Sequence, residues 1–79
     1  MNIDQIPLNS VPIGKKVNVT ELRLGGMTRR RMLDLGLIDG TVIKPLYKSP
    51  SGNPVAYQIR GTVIALRTDI SDNIMVSLP

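Results

Sequence analysis

The chain has 79 residues, with ten Lys and Arg against six Asp and Glu, and it contains no Cys and no His. This length supports a single domain with a small core, and the lack of Cys excludes disulfides and thiolate metal sites. Because Phe and Trp are also absent, the core must be built from Val, Ile, Leu, Met and Ala, a composition that favours strands.

The net charge and the N-terminal sequence limit the possible partners and location. The formal charge of +4 permits binding to nucleic acid, to anionic lipid or to an acidic protein face. The N-terminus MNIDQIPLNS lacks the basic and apolar segments of a signal peptide, and no apolar run reaches the roughly 20 residues that cross a bilayer. We therefore expect a soluble protein, with the cytoplasm as its default location.

The first strand is predicted at about 15–23, after a loop at 7–14 whose Pro, Asn and Gly residues are typical of turns. Apolar and polar residues alternate along this segment. The alternation places Val17 and Glu21 on one face and Leu22 on the other. We expect the valine face to be buried.

A helix of about two turns is predicted between Thr28, the expected N-cap residue, and Gly36, the expected left-handed stop. In such a stop, Leu37 folds back onto Met32. A helix this short must pack against a sheet to persist in water. Its packing face is predicted to consist of three apolar residues, Met32, Leu33 and Leu35.

The second half of the chain is rich in short strands. They are predicted at 41–48, 54–60, 62–66 and 74–78. Pro45 lacks a ladder donor and belongs at an edge or a bulge, and 62–66 either continues the preceding strand across a kink or forms the next strand. Residues 68–73 are predicted as a polar turn, with at most one helical turn and Ile70 pointing inward. These elements predict a mainly β fold, a small, partly closed barrel, because closure removes exposed sheet edges.

No catalytic or metal site is expected. Without His and Cys the commonest general base and the commonest soft nucleophile are missing, and no Ser lies in a nucleophile elbow. The closest acidic pair, Asp69 and Asp72, has the character of turn residues, and transition metals prefer imidazole or thiolate ligands. We expect no enzymatic activity, no cofactor and at most weak metal binding.

Arg29, Arg30 and Arg31 stand at the predicted start of the helix. Cations are disfavoured there by roughly 0.3 to 1 kcal/mol each, so local helix chemistry gives no reason for them. A partner that carries carboxylates or phosphates gives one. A structural role also stays open, because Arg30 and Arg31 can reach Asp34 at helical spacing, and Arg31 is the one expected to be structural.

Four motifs carry a family resemblance. They are RRRMLDLGL at 29–37, Gly40-Thr41, the Gly52-x-Pro54 loop, and Gly61-x-x-x-Ala65-Leu66-Arg67. Together they resemble the FeoA family, the small cytosolic component of bacterial ferrous iron transport, across nearly the whole chain. The resemblance implies one SH3-like barrel over 1–79 with one inserted short helix.

The resemblance implies a non-enzymatic module that binds the cytosolic part of a FeoB-type GTPase transporter and modulates its activity or assembly. No small-molecule substrate is expected, and the membrane is reached only by recruitment through the partner. The expected contact residues are Arg29, Arg30, Arg31, Ser51, Gly52 and Asn53. The loop at 49–54 is expected to be a mobile hairpin tip, because it contains Pro and Gly and no large apolar anchor.

The alternative function is a small basic barrel that binds nucleic acid through the arginines. Its affinity would fall steeply with salt and would depend little on sequence. Binding of single strands also needs aromatic platforms on which bases stack. Tyr47 and Tyr57 are the only aromatic residues, so nucleic acid is not the expected partner.

Overall fold

The computed structural model describes residues 5–78, which form one six-stranded antiparallel sheet with a short helix inserted after the second strand. The strands are β1 (Ile6–Pro7), β2 (Val17–Leu22), β3 (Val42–Lys48), β4 (Val55–Ile59), β5 (Thr62–Leu66) and β6 (Ile74–Ser77). The helices are α1 (Gly26–Asp34) and α2 (Thr68–Ser71), and a 3-10 turn covers Leu8–Ser10. Within residues 5–78, neither helix has the length and apolar character needed to cross a bilayer.

The strands are hydrogen-bonded in the order β1-β6-β2-β3-β4-β5, so β1 and β5 are the edges and the described sheet is not closed. The predicted mainly β fold with one inserted helix is confirmed. The predicted loop at 7–14 is wrong at its start, because Pro7 pairs with Met75 in β1. Leu8, in the 3-10 turn that follows, is fully buried.

The buried face of β2 changes midway along the strand. Val17 and Val19 are buried, as predicted, but Leu22 is buried as well and Glu21 is exposed. The register against β6 shifts between Val19 and Glu21. Strict alternation had placed Leu22 on the face opposite Val17, and this prediction was wrong. A β-bulge adds one residue to the strand and thereby reverses the faces on which the later side chains lie.

The second half of the chain follows the predicted strands closely. Pro45 lies at a shift in register between β3 and β4, so its predicted place at a bulge is confirmed. Ile59 pairs with Thr62 across a two-residue turn, in which Arg60 and Gly61 have φ values of 45° and 77°. Positive φ at both central residues is typical of the type I′ hairpin turn. Residues 62–66 are therefore a separate strand that reverses direction.

The start of α1 differs from the prediction. The N-cap residue is Gly25, which offers no side-chain hydrogen bond, and Thr28 lies inside the first turn. The prediction of Thr28 as the N-cap residue was wrong because Gly26 turns the chain into the helix earlier. Gly26 has φ +59°, a conformation that costs glycine little.

The end of α1 agrees with the prediction. The Leu37 N–H donates to the Met32 carbonyl at 3.1 Å, and the Gly36 N–H donates to the Leu33 carbonyl at 2.9 Å. With φ +96° at Gly36, these bonds form a Schellman motif. Leu37 is fully buried and belongs to the same core cluster as Met32. The motif thus connects the helix end to the core.

The packing face of α1 is narrower than predicted. Met32 is buried, but Leu33 and Leu35 are 37% and 38% exposed. The prediction that all three residues face the core was wrong for these two leucines. Met32 is the one buried residue of α1, so the helix meets the core through a single side chain and the leucines beside it remain accessible.

Candidate interaction surface

The three arginines lie within α1 and not at its start. Because the helix begins at Gly26, Arg29 is the fourth helical residue, and Arg31 lies in the last turn. Helix dipole effects are confined to the first and last turns, and the last turn favours cations. The predicted electrostatic penalty was therefore wrong, for the same reason that the predicted helix start was wrong.

Arg29 connects the helix to the end of β2. Its Nη1 donates a hydrogen bond of 2.7 Å to the carbonyl oxygen of Leu22. The same side chain lines a cavity of about 330 Å³ between β2 and α1. A charged donor on a partly buried carbonyl is a stronger bond than a neutral pair. Arg29 thus has a structural role, which the sequence had suggested for Arg31.

Arg30 and Arg31 differ in their partners. Arg30 Nε lies 3.7 Å from Asp34 Oδ1, and both side chains are more than 70% exposed, so this pair contributes little stability. Arg31 takes part in none of the ion pairs found within residues 5–78. The expected pairing of Arg31 with Asp34 was wrong, because Arg30 takes that partner at the i,i+4 spacing.

Arg31 instead lines a second cavity, the α1–β5 groove, which has a volume of about 360 Å³ and lies between α1, β5 and α2. Its lining includes Met27, Arg31, Leu35, Ile64, Arg67 and Ile70. Met27 is 82% exposed. The groove therefore combines accessible apolar side chains with two guanidinium groups, a surface suited to a partner with apolar and acidic side chains.

The loop at 49–54 is tied to one border of this groove. Asn53 Oδ1 accepts a hydrogen bond of 3.1 Å from the Thr68 N–H, at the start of α2 and next to Arg67. Within the loop, Ser51 Oγ donates to the Asn53 carbonyl at 2.9 Å, and the Gly52 N–H donates to the Ser49 carbonyl at 2.8 Å. The predicted mobility of the loop stays a prediction.

Of the predicted contact residues, Arg31 and the loop residues lie at or beside the α1–β5 groove, whereas Arg29 lies at the other cavity. Arg31 lines the groove, and Ser51 to Asn53 adjoin its border through α2, whereas Arg29 lines the cavity beside β2. Sequence reasoning missed Met27 and Arg67 as groove residues. The sequence does contain a signal for Arg67, because a cation that directly follows an apolar strand can be expected at the end of a sheet edge, where it is accessible to a partner.

The described residues provide no obvious metal site. Within residues 5–78, no three His, Cys, Asp or Glu side chains lie close enough together to hold a metal ion. The close acidic pair noted in the sequence, Asp69 and Asp72, lies in and beside α2. The expectation that the isolated protein binds ferrous iron no more than weakly stays a prediction.

Tyr57, on β4, is only 1% exposed, and burial raises the pKa of its hydroxyl above 10.0. A hydrogen bond with Ser71 acts in the opposite direction, and the charge of Asp72 adds to the rise in pKa. Above about pH 10 the unfolded chain therefore loses this proton while the folded protein retains it. The Tyr57 contribution to the free energy of unfolding should be constant at lower pH and should fall as pH rises from 10 towards the folded pKa.

Two tyrosine variants isolate this effect. Tyr57→Phe should lose less stability above pH 10 than the parent, whereas Tyr47→Phe, at a position that is 61% exposed, should behave like the parent in denaturant unfolding. Because the chain has two Tyr, the tyrosinate absorbance of Tyr47→Phe reports Tyr57 alone. A midpoint at the ordinary tyrosine value in that titration would contradict the prediction.

Residues 5–78 thus form an open, six-stranded antiparallel sheet with an apolar groove that two arginines line. The family model for the FeoA domain matches residues 6–78. The chain therefore belongs to the FeoA family, which is linked to ferrous iron transport, and the resemblance seen in the sequence is confirmed. Among curated proteins, none matched the chain.

Solved FeoA structures share this fold. The FeoA protein of Chlorobium tepidum is 29% identical, with a TM-score of 0.87, 92% of this chain covered and 70% of that one. A FeoA-like protein of Clostridium acetobutylicum is 34% identical, with a TM-score of 0.86 and coverages of 98% and 90%. Stenotrophomonas maltophilia FeoA in complex with zinc is 26% identical, with a TM-score of 0.79 and coverages of 89% and 87%. It is described as an SH3 domain protein, in agreement with the predicted SH3-like fold.

Proposed function

We propose that this protein is a non-enzymatic interaction module of bacterial ferrous iron uptake. It binds the cytosolic part of a FeoB-type GTPase transporter and modulates the activity or assembly of that transporter. Support comes from FeoA family membership over residues 6–78. Further support comes from S. maltophilia FeoA, which its description offers as a candidate ferrous iron transport activating factor. The protein acts in the cytoplasm and is recruited to the inner face of the membrane by its partner.

The α1–β5 groove is the observation that carries this proposal. It offers apolar side chains to solvent beside Arg31 and Arg67, and buried apolar contacts give affinity while charges at the rim give orientation and association rate. Of the contact residues expected from the sequence, we retain Arg30, Arg31, Ser51, Gly52 and Asn53 as proposed contacts and give Arg29, which donates to the Leu22 carbonyl, a structural role instead. Of these, Arg31 and the loop lie at or beside the groove and are expected to contribute most.

Titration against the purified cytosolic GTPase domain of the transporter from the same organism tests the proposal. We expect saturable binding that weakens as salt is added and a changed rate of GTP hydrolysis. Arg31→Gln should weaken binding several-fold. Lys16→Gln is the matched control, because it removes the same charge from an exposed residue outside the groove. If the two proteins do not bind and GTP hydrolysis does not change, even at high concentrations of both, the proposed function is rejected.

A further inference from the structure

The edge strand β5 lacks the features that usually prevent a sheet edge from pairing with another chain. Among the strands of residues 5–78 it pairs only with β4, in a regular register over all five residues. Its sequence TVIAL contains no charged residue and no Pro. The opposite edge, β1, is two residues long and includes Pro7. Proteins normally protect long edges with charges, prolines or bulges, because unpaired backbone groups recruit further strands.

The backbone groups on this edge are available. The two residues that flank a two-residue hairpin turn, here Ile59 and Thr62, form a hydrogen-bonded pair. Along an antiparallel ladder such pairs alternate with pairs whose backbone groups point away from each other, and Val63 and Ala65 belong to pairs of the second kind. The N–H and C=O groups of Val63 and Ala65 therefore point away from β4. Within residues 5–78, no loop or side chain forms a hydrogen bond with them.

The same edge borders the α1–β5 groove. Ile64 and Ala65 contribute to one wall of the groove, and Met27 and Leu35 of α1 contribute to the other. A strand added beside β5 would thus lie along the opening of the groove. Its side chains would alternate between the two faces, so every second side chain could enter the apolar space.

Charge indicates the composition of the added strand. Arg31 and Arg67 line the groove, and Arg60 lies in the turn before β5. The nearby carboxylate of Asp69 lies 3.6 Å from Arg67 and offsets one of these charges. A second copy would bring Arg60 and Arg67 of its own with Asp69 beside Arg67, so two edges of net positive charge would meet, and charge complementarity favours an acidic partner over self-pairing.

We infer that the free edge of β5 and the α1–β5 groove bind, by strand addition, an extended protein segment whose groove-facing side chains are both apolar and acidic. Main-chain hydrogen bonds to Val63 and Ala65 give affinity, and the groove and its arginines give specificity. This inference rests on the proposed function for the identity of the partner. The recognition mode is independent of that identity.

A short blocked peptide, Val-Thr-Glu-Thr-Val, is the probe, because its two valines and its glutamate lie on one face of an extended strand. It should bind the full chain, shift the amide resonances of Val63 and Ala65 and protect both amides from hydrogen exchange. The same peptide N-methylated at every residue should bind about tenfold more weakly or not at all, because neither of its edges keeps a backbone donor. Equal binding of the two peptides, or no binding of the unmethylated one, would overturn strand addition.

Two protein variants test the contributions of the backbone hydrogen bonds and of the groove charge separately. Ala65→Pro removes the Ala65 N–H, which points away from β4, and should lower affinity for the peptide about tenfold. Arg31→Glu should weaken binding of the glutamate peptide and strengthen binding of a valine and lysine peptide. If Ala65→Pro fails to fold, the N-methylated peptide still tests the backbone hydrogen bonds and Arg31→Glu still tests the charge. Dimers that form through β5 and exclude the acidic peptide would overturn the choice of partner.

The transporter domain then distinguishes the two proposals. If the peptide binds at β5 but the domain does not bind the protein, the proposed function fails and strand addition stands. If the domain binds folded Ala65→Pro as well as the parent, strand addition to that partner fails and the proposed function stands.

Discussion

Leu37→Ala should lower the free energy of unfolding by about 2 to 5 kcal/mol. The Leu37 side chain is fully buried in the core cluster that also contains Met32, and its loss leaves a cavity there. A chain of this size has a total stability of roughly 4 to 12 kcal/mol, so the variant should be partly or fully unfolded near physiological temperature. Denaturant unfolding followed by circular dichroism measures the loss.

Leu35→Ala is the matched control, because it removes the same atoms two residues earlier. Leu35 is 38% exposed, so its replacement should cost less than about 1 kcal/mol. Leu35 also lines the α1–β5 groove, so the variant should weaken peptide binding while it stays folded. Equal destabilisation by the two variants would contradict the division of α1 into one buried contact line and an accessible groove wall.

Arg29→Gln should lower the free energy of unfolding by about 1 to 2 kcal/mol, because it removes a charge-assisted hydrogen bond from the Leu22 carbonyl. Arg30→Gln should cost no more than about 0.5 kcal/mol, because its pair with Asp34 is exposed. Arg31→Gln should leave stability unchanged within about 0.5 kcal/mol. Thermal and denaturant unfolding of the three single variants gives this order.

The three arginine variants should rank in the opposite order by their loss of binding affinity. Arg31→Gln should cause the largest loss of affinity for the transporter domain, mainly through a slower association rate and a weaker salt dependence. Arg29→Gln should bind almost as well as the parent wherever it is folded. A folded Arg31→Gln variant with unchanged affinity, beside an Arg29→Gln variant with unchanged stability, would show that the structural and binding roles are assigned to the wrong residues.

The sequence by itself determined the elements whose causes are local. Alternation predicted β4, the Gly at position 36 predicted the end of α1, and Pro45 predicted an edge or a bulge, of which the structure has the bulge. Turn residues and apolar periodicity act between neighbours a few residues apart, so they can be interpreted without knowledge of the fold. The family motifs also lie within short stretches, which is why they indicated the SH3-like fold before any tertiary contact was known.

Only the tertiary structure decided which side chains are available to a partner. The bulge in β2 buried Leu22, the narrow contact of α1 exposed Leu35, and the end of β2 placed a carbonyl within reach of Arg29. The α1–β5 groove joins Met27 to Ile64, residues far apart in sequence. Three consecutive arginines are chemically identical, so their roles depend on what lies opposite each one, and that is determined by the docking of the helix on the sheet.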